Sequence, residues 1–202
     1  MKKIILMLTA VAASLSLTAQ KVPGLANSYS GKVVYIESNP TTPYRHVGTV
    51  ECSMLAPDKF DLMMTHMIEK RALKEYKTEE FDALIFRPGS GFCKADVIQF
   101  YRDPKEKKKK SRKGVEEEIL ESFRLSESVG KGGINLFVEN NPTAAFTLLG
   151  KIELPTNFVS SEYEDLLKEM IRVAKQAYPD MNGIVIQSGT ELRKANVIKL
   201  KE

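Results

Sequence analysis

Histidine and cysteine are nearly absent from this chain: 202 residues include only His46, His66, Cys52 and Cys93. That scarcity excludes much chemistry. The histidines form no His-x3-His pair and neither lies in the second half. A transition-metal centre would have to draw on His46, His66, the thiols and carboxylates of the first half. No Cys-x-x-Cys occurs, which removes the usual redox-active dithiol. Gly-x-Ser-x-Gly, a phosphate-binding loop and His-Glu-x-x-His are missing too, and no acid, base and nucleophile stand out as a partnered set. The chain is therefore expected not to be an enzyme, to hold no metal and to need no cofactor. Beyond the first 20 residues, no apolar stretch approaches membrane-spanning length.

What is present begins with a secretory pattern. Lys2 and Lys3 form a positive start, residues 4–17 an apolar core, and Thr18, Ala19 and Gln20 a small-residue cleavage region before Lys21. No cysteine stands near that cut to carry a lipid. The expectation is a periplasmic or secreted protein with a mature chain of 182 residues, enough for one large or two small domains. Without Lys2 and Lys3 the net charge falls from +4 to +2, which argues against a nucleic-acid-binding surface over the whole protein. Export also bears on the thiols. An oxidising compartment favours pairing Cys52 with Cys93, the rival being two separate buried thiols. A bridge closing that loop would contribute about 4 kcal/mol by the chain-entropy argument.

The strongest internal signal is self-similarity. At an offset of 102, Gly31, Glu37, Asn39, Pro40, Thr41, Gly48 and Glu51 recur as Gly133, Glu139, Asn141, Pro142, Thr143, Gly150 and Glu153. At an offset of 100, Lys94-Ala95-Asp96-Val97-Ile98 recurs as Lys194-Ala195-Asn196-Val197-Ile198. The change of offset places a two-residue length difference in the helix or its connection.

Residues 33–36 and 136–138 are β-rich, and the Asn-Pro-Thr segments after them carry turn chemistry. Residues 46–51 and 148–153 read as second strands. Tyr163, Leu166, Leu167, Met170, Ile171, Ala174, Ala177 and Tyr178 recur at helical spacing, with Ser161 and Glu164 as a capping box. In the first half Asp58 can cap a stripe of Phe60, Met63, Met64, Met67 and Ile68. Residues 84–86, 184–186, 97–101 and 197–200 complete the strands. The expected fold is α+β: two tandem ββαββ repeats over 31–101 and 133–202, each a small sheet with one helix on a face.

The segment between them, 102–132, reads as a linker. Residues 102–113 carry a local charge of +6, residues 115–125 suggest a short glutamate-rich helix, and 126–133 read as loop. Lys105, Lys107, Lys108, Lys109, Lys110, Arg112 and Lys113 are either a solvated spacer or the contact to an anionic surface or acidic envelope partner. Nucleic acid is disfavoured, because no aromatics interleave the lysines.

The stretch Pro43-Tyr44-Arg45-His46-Val47-Gly48-Thr49-Val50-Glu51, followed by a helix and a small-residue-rich hairpin, resembles two related small-domain families. One is the outer-membrane lipoprotein sensor of the Rcs envelope-stress phosphorelay. The other is the YbjQ-like domain, often labelled heavy-metal-binding. The resemblance spans about 32–101 and 134–200. It implies a bridge between Cys52, just after the Gly48 strand, and Cys93 in the later hairpin. The chain lacks counterparts of the sensor's second bridge and lipid-attachment cysteine. The functional expectation is an exported, non-enzymatic binding or envelope-interaction module. The alternative is a small metal- or redox-responsive protein using Cys52, Cys93 and His46.

Overall fold

The computed structural model describes residues 21–51, 64–86, 94–102, 121–155, 158, 163–186 and 192–201. They form a 13-stranded mixed sheet system. The strands are β1 (Pro23–Ala26), β2 (Ser28–Tyr29), β3 (Lys32–Ile36), β4 (Ser38–Pro40), β5 (Tyr44–Glu51), β6 (Ala83–Phe86) and β7 (Lys94–Phe100). After them come β8 (Leu125–Lys131), β9 (Ile134–Val138), β10 (Asn140–Pro142), β11 (Phe146–Glu153), β12 (Gly183–Ile186) and β13 (Lys194–Leu200). Helical segments include a π turn at Met67–Ala72 running into α1 (Leu73–Glu75), a 3₁₀ turn at Thr78–Glu80, and α2 (Tyr163–Ala177).

This corrects the expected fold class. The two tandem ββαββ repeats, each a separate sheet carrying its own helix, are replaced by one continuous mixed sheet. Three physical reasons account for the difference. First, β3 meets β9 antiparallel at Ile36↔Val138, so the two halves share a sheet edge. Second, β1, β2, β4, β8 and β10 occupy stretches where hydrophobic patterning signals turn, loop or nothing. Buried positions there include Ser38, Ser126, Ser128 and Asn140, so polar residues sit where periodicity arguments look for apolar ones. Third, Met64, Met67, Ile68 and Ala72 share one core with Leu166, Leu167, Met170 and Ala174, rather than lying in two cores.

Strand pairing is the same in the two halves, at an offset of 102 for β3 and β5 and of 100 for β6 and β7. In the first half β3 runs parallel to β6, β6 antiparallel to β7, and β7 antiparallel to β5. In the second half β9, β12, β13 and β11 are joined in the corresponding way. Two pairings match residues with their own counterparts, Gly24↔Ser126 and Ile36↔Val138, so an approximate twofold axis passes between the halves. About it the leading strands cross over: β1 pairs with β10, and β8 with β4. Each crossing strand reaches its place through a hairpin. Ser30–Gly31 and Gly132–Gly133 all have positive φ, the combination a two-residue type I′ turn needs.

Strand alternation separates two faces. Val34, Ile36, Leu84, Phe86, Ala95 and Val97 point to the helices. Val33, Tyr35, Ala83, Ile85, Ile98 and Phe100 point the other way and are closed by Ala26 and Phe123, whose ring stacks on Phe100 at 4.3 Å. The length difference between the halves lies after the helices. Tyr76 and Tyr178 both close the last helical turn, donating their backbone N–H groups to Ala72 O and Ala174 O at 2.8 Å. Only the first half then inserts the Thr78–Glu80 turn, which Lys32 Nζ holds by donating to Thr78 O and Phe81 O at 2.6 Å each.

Gly48 and Gly150 recur for a packing reason. Each follows a register shift in its strand, and the hydroxyl of Tyr76 or Tyr178 occupies the place of the missing Cβ. Gly48→Ala and Gly150→Ala should each destabilise the fold by about 1–3 kcal/mol through overpacking. Urea unfolding of Gly48→Ala with and without Tyr76→Phe checks the cause: removing the hydroxyl should recover part of the loss. Additive losses would refute this packing.

Candidate functional site

Behind the Ile36↔Val138 junction the chain turns sharply in both halves. Glu37 and Glu139 take the left-handed conformation, with φ 47° and 51°, and both side chains are buried. Each is met by the other half's crossing strand. Asn27 donates its backbone N–H to Glu139 O and its Nδ2 to Glu139 Oε2, both at 2.8 Å, and the Tyr29 hydroxyl donates to the same carboxylate. Val129 N donates to Glu37 O at 2.8 Å. The Glu37 carboxyl faces Lys131, Glu164 and the buried Tyr163 hydroxyl. Burial pushes Glu37 above the ordinary carboxylate value. Lys131 opposes that shift, Glu164 adds to it, and the Tyr163 hydrogen bond opposes it.

Beside Glu37, on the face away from the helices, lies a cleft of about 420 Å³. It is lined by Glu37, Ser38, Tyr44, Ile85, Asp96 and Val129, with Asn39 and Phe86 at its margin. The parallel pair β3–β6 brings Ile85 beside the end of β3, and the β6–β7 register sets Asp96 opposite Ile85. Asp96 is largely buried; its Oδ1 accepts from Thr49 Oγ1 at 3.3 Å and lies 3.4 Å from His46 Nε2. Ser38 is also buried, and its hydroxyl has no hydrogen-bond partner among the described residues. Leaving such a group unpaired costs about 1–3 kcal/mol.

The Thr49–His46–Asp96 group invites comparison with a nucleophile, base and orienting acid. Its geometry does not support that role. His46 Nε2 faces both the Thr49 hydroxyl, at 3.4 Å, and Asp96, whereas a relay needs the two ring nitrogens to serve different partners.

The equivalent surface of the second half has diverged. Thr49, His46 and Asp96 correspond to Lys151, Leu148 and Asn196. A cleft of about 450 Å³ in the second half is lined by Lys151, Glu153, Lys194 and Asn196 around Val185, and of these only Val185 and Asn196 are counterparts of residues lining the first cleft. A third groove, about 610 Å³, runs along the exposed side of the π segment and α1, where His66 lies among Glu69, Lys70, Arg71 and Lys74.

Cys52, Cys93 and the basic residues Lys105, Lys107, Lys108, Lys109, Lys110, Arg112 and Lys113 lie outside the described residues, as does the expected signal, 1–20. His46 and His66 are not brought together, and no group of three or more histidine, cysteine, aspartate or glutamate side chains fit to hold a metal occurs among the described residues. No described helix is long and apolar enough to cross a membrane. Hydrophobic patterning passed over Ser38, Tyr44, Ile85 and Asp96 as site residues. One signal was available: within the otherwise recurring Lys-Ala-x-Val-Ile block, an acid at position 96 stands against an amide at 196. No protein-family model matches the chain, and no curated protein or solved structure matches it.

The raised position of Glu37 has a defined sign. An acid that holds its proton more tightly when folded stabilises the fold fully below its unfolded value, and that contribution is lost as pH rises through the folded value. Glu37→Gln, which mimics the protonated acid, should therefore gain stability relative to the parent as pH rises from 4 towards 7. Thermal unfolding across that range checks it, and parallel curves for the two proteins would refute it.

Proposed function

We propose that this is an exported, non-enzymatic binding module whose ligand seat is the cleft beside Glu37. One observation carries the reading: the buried polar residues Ser38 and Asp96 line one cleft together with Tyr44 and Ile85. Ligand sites are concave, largely apolar and equipped with a few convergent polar groups. Ile85, Phe86, Tyr44 and Val129 supply the apolar walls here, and Ser38, Asn39 and Asp96 are polar residues of the lining. The secretory pattern at residues 1–20 supports a periplasmic or secreted location. The likeness to the Rcs sensor and YbjQ-like domains supports work at the envelope. Residues 105–113 supply the charge for holding the protein at an anionic surface or acidic partner there.

The same reading includes a Cys52–Cys93 bridge in the mature protein. Support comes from the ladder beside it: Glu51 stands opposite Lys94, and their side chains are paired at 2.9 Å. In sequence, Cys52 comes directly after Glu51 and Cys93 directly before Lys94.

Two measurements test the proposal. A fragment screen followed by amide and side-chain NMR should yield binders that shift Tyr44, Ile85 and Asp96 together. Ser38→Ala should raise the stability of the free protein by about 1 kcal/mol, because it deletes a buried hydroxyl with no hydrogen-bond partner among the described residues. A screen that leaves those three signals unmoved would remove the cleft from consideration. For the bridge, protein made in the periplasm and denatured without reductant should show no free thiol; two free thiols would eliminate it.

A further inference from the structure

We infer that β11 is the docking edge for a second copy of this chain, the paired β11 strands running antiparallel about Thr147 so that one sheet continues into the next. The inference is independent of the cleft. Among the described residues β11 pairs only with β13 and β5 only with β7, so these strands form the rims of the sheet. They are counterparts across the approximate twofold axis, and their chemistry has diverged. Tyr44, Arg45 and His46 on β5 correspond to Phe146, Thr147 and Leu148 on β11. No charged residue occurs between Pro142 and Lys151. Phe146 and Leu148 are 43% and 53% exposed. They stand opposite Leu200 and Ile198, and so extend the buried cluster of Phe137, Val185, Ile198 and Leu200 out to the rim. A long rim strand with apolar side chains and no guarding charge is a template for pairing with another chain.

Backbone direction selects the register. Lys201 N donates to Ala145 O at 2.9 Å. Successive residues of an antiparallel strand turn their polar groups to alternate sides. Thr147 therefore bonds towards Lys199, its partner in β13, while the N–H and C=O groups of Phe146 and Leu148 point away from β13. Pairing about Thr147 sets Phe146 of each copy opposite Leu148 of the other. That register uses the outward backbone groups of both residues and gathers their side chains into one apolar cluster. Main-chain hydrogen bonds of this kind supply affinity, and the side chains beside them supply specificity. Thr147 puts no charge on the axis, so the strand is compatible with its own copy. The other rim is not. Pairing about Arg45 would set one guanidinium against another, because Arg45 donates only to the neutral Gln99 side chain and keeps its charge uncompensated there.

Sedimentation equilibrium of the purified protein at rising concentration should show a monomer–dimer equilibrium. Phe146→Pro removes an outward N–H and no bond to β13, a place where edge strands accept proline. It should weaken dimerisation at least about tenfold, with a well-dispersed amide spectrum confirming that the variant folds. Amide hydrogen exchange of the parent protein locates the interface without any variant. Above the dimerisation midpoint the Phe146 and Leu148 amides should be protected, and on dilution they should exchange freely. Thr147, bonded towards β13, should stay protected in both. A protein that remains monomeric up to about 1 mM overturns the assignment. So does a dimer whose Phe146 and Leu148 amides exchange as fast as the monomer's, or a dimer that a folded Phe146→Pro variant forms equally tightly.

Discussion

The single antiparallel bridge between Ile36 and Val138 is the constraint on which the rest of the fold depends. It joins two four-stranded runs into one sheet, and it lies on the approximate twofold axis. A junction one residue pair wide cannot hold two halves by backbone hydrogen bonds alone. The crossing strands supply the remainder. β1 and β8 pair with each other and with the far half's β10 and β4, so each half is clasped by a segment belonging to the other. Buried Glu37 and Glu139 sit where these clasps close. Both turn the chain through positive φ, a conformation disfavoured for residues with a side chain and maintained only where surrounding contacts over-determine it.

Clasping has an energetic consequence. Small units bury too little apolar surface to be comfortably stable alone. Here the helices of both halves feed one core, in which Met67, Ile68, Leu167 and Met170 are fully excluded from water. The polar contacts of the clasp fix register. Ser128 Oγ donates to Asn135 Oδ1 and Asn140 Nδ2 donates to Ser126 Oγ, both at 2.9 Å within buried surroundings. Such satisfied buried pairs penalise slipped strand registers, which would leave them unpaired.

Approximate symmetry also leaves equivalent positions of the two halves able to diverge in charge. Equivalent positions around the two outer-face clefts share backbone geometry yet differ in charge. Asp96, Thr49 and His46 stand on one side, and Asn196, Lys151 and Leu148 on the other. One framework thus presents two chemically distinct surfaces. Ser38 Oγ has no hydrogen-bond partner among the described residues, whereas its counterpart Asn140 bonds Ser126 through Nδ2 and leaves only Oδ1 without one.

The positions of the main strands were legible in the chain itself, since continuous apolar runs such as Ala83–Phe86 and Gly183–Ile186 report burial on both faces. So were the helical stripe of Tyr163, Leu166, Leu167 and Met170 and the recurrence of Gly48 with Gly150. How those strands are shared was not legible. Residues 125–131 bury serines, so no apolar alternation announces β8, and the Asn-Pro segments read as turns although Pro40 and Pro142 sit in short strands. Composition and spacing thus determined the local elements and the internal doubling. Only tertiary structure decided that the halves merge by crossing strands, and that Ser38, Tyr44, Ile85 and Asp96 converge. Their chemistry depends on contacts between residues dozens of positions apart, to which a local pattern is blind.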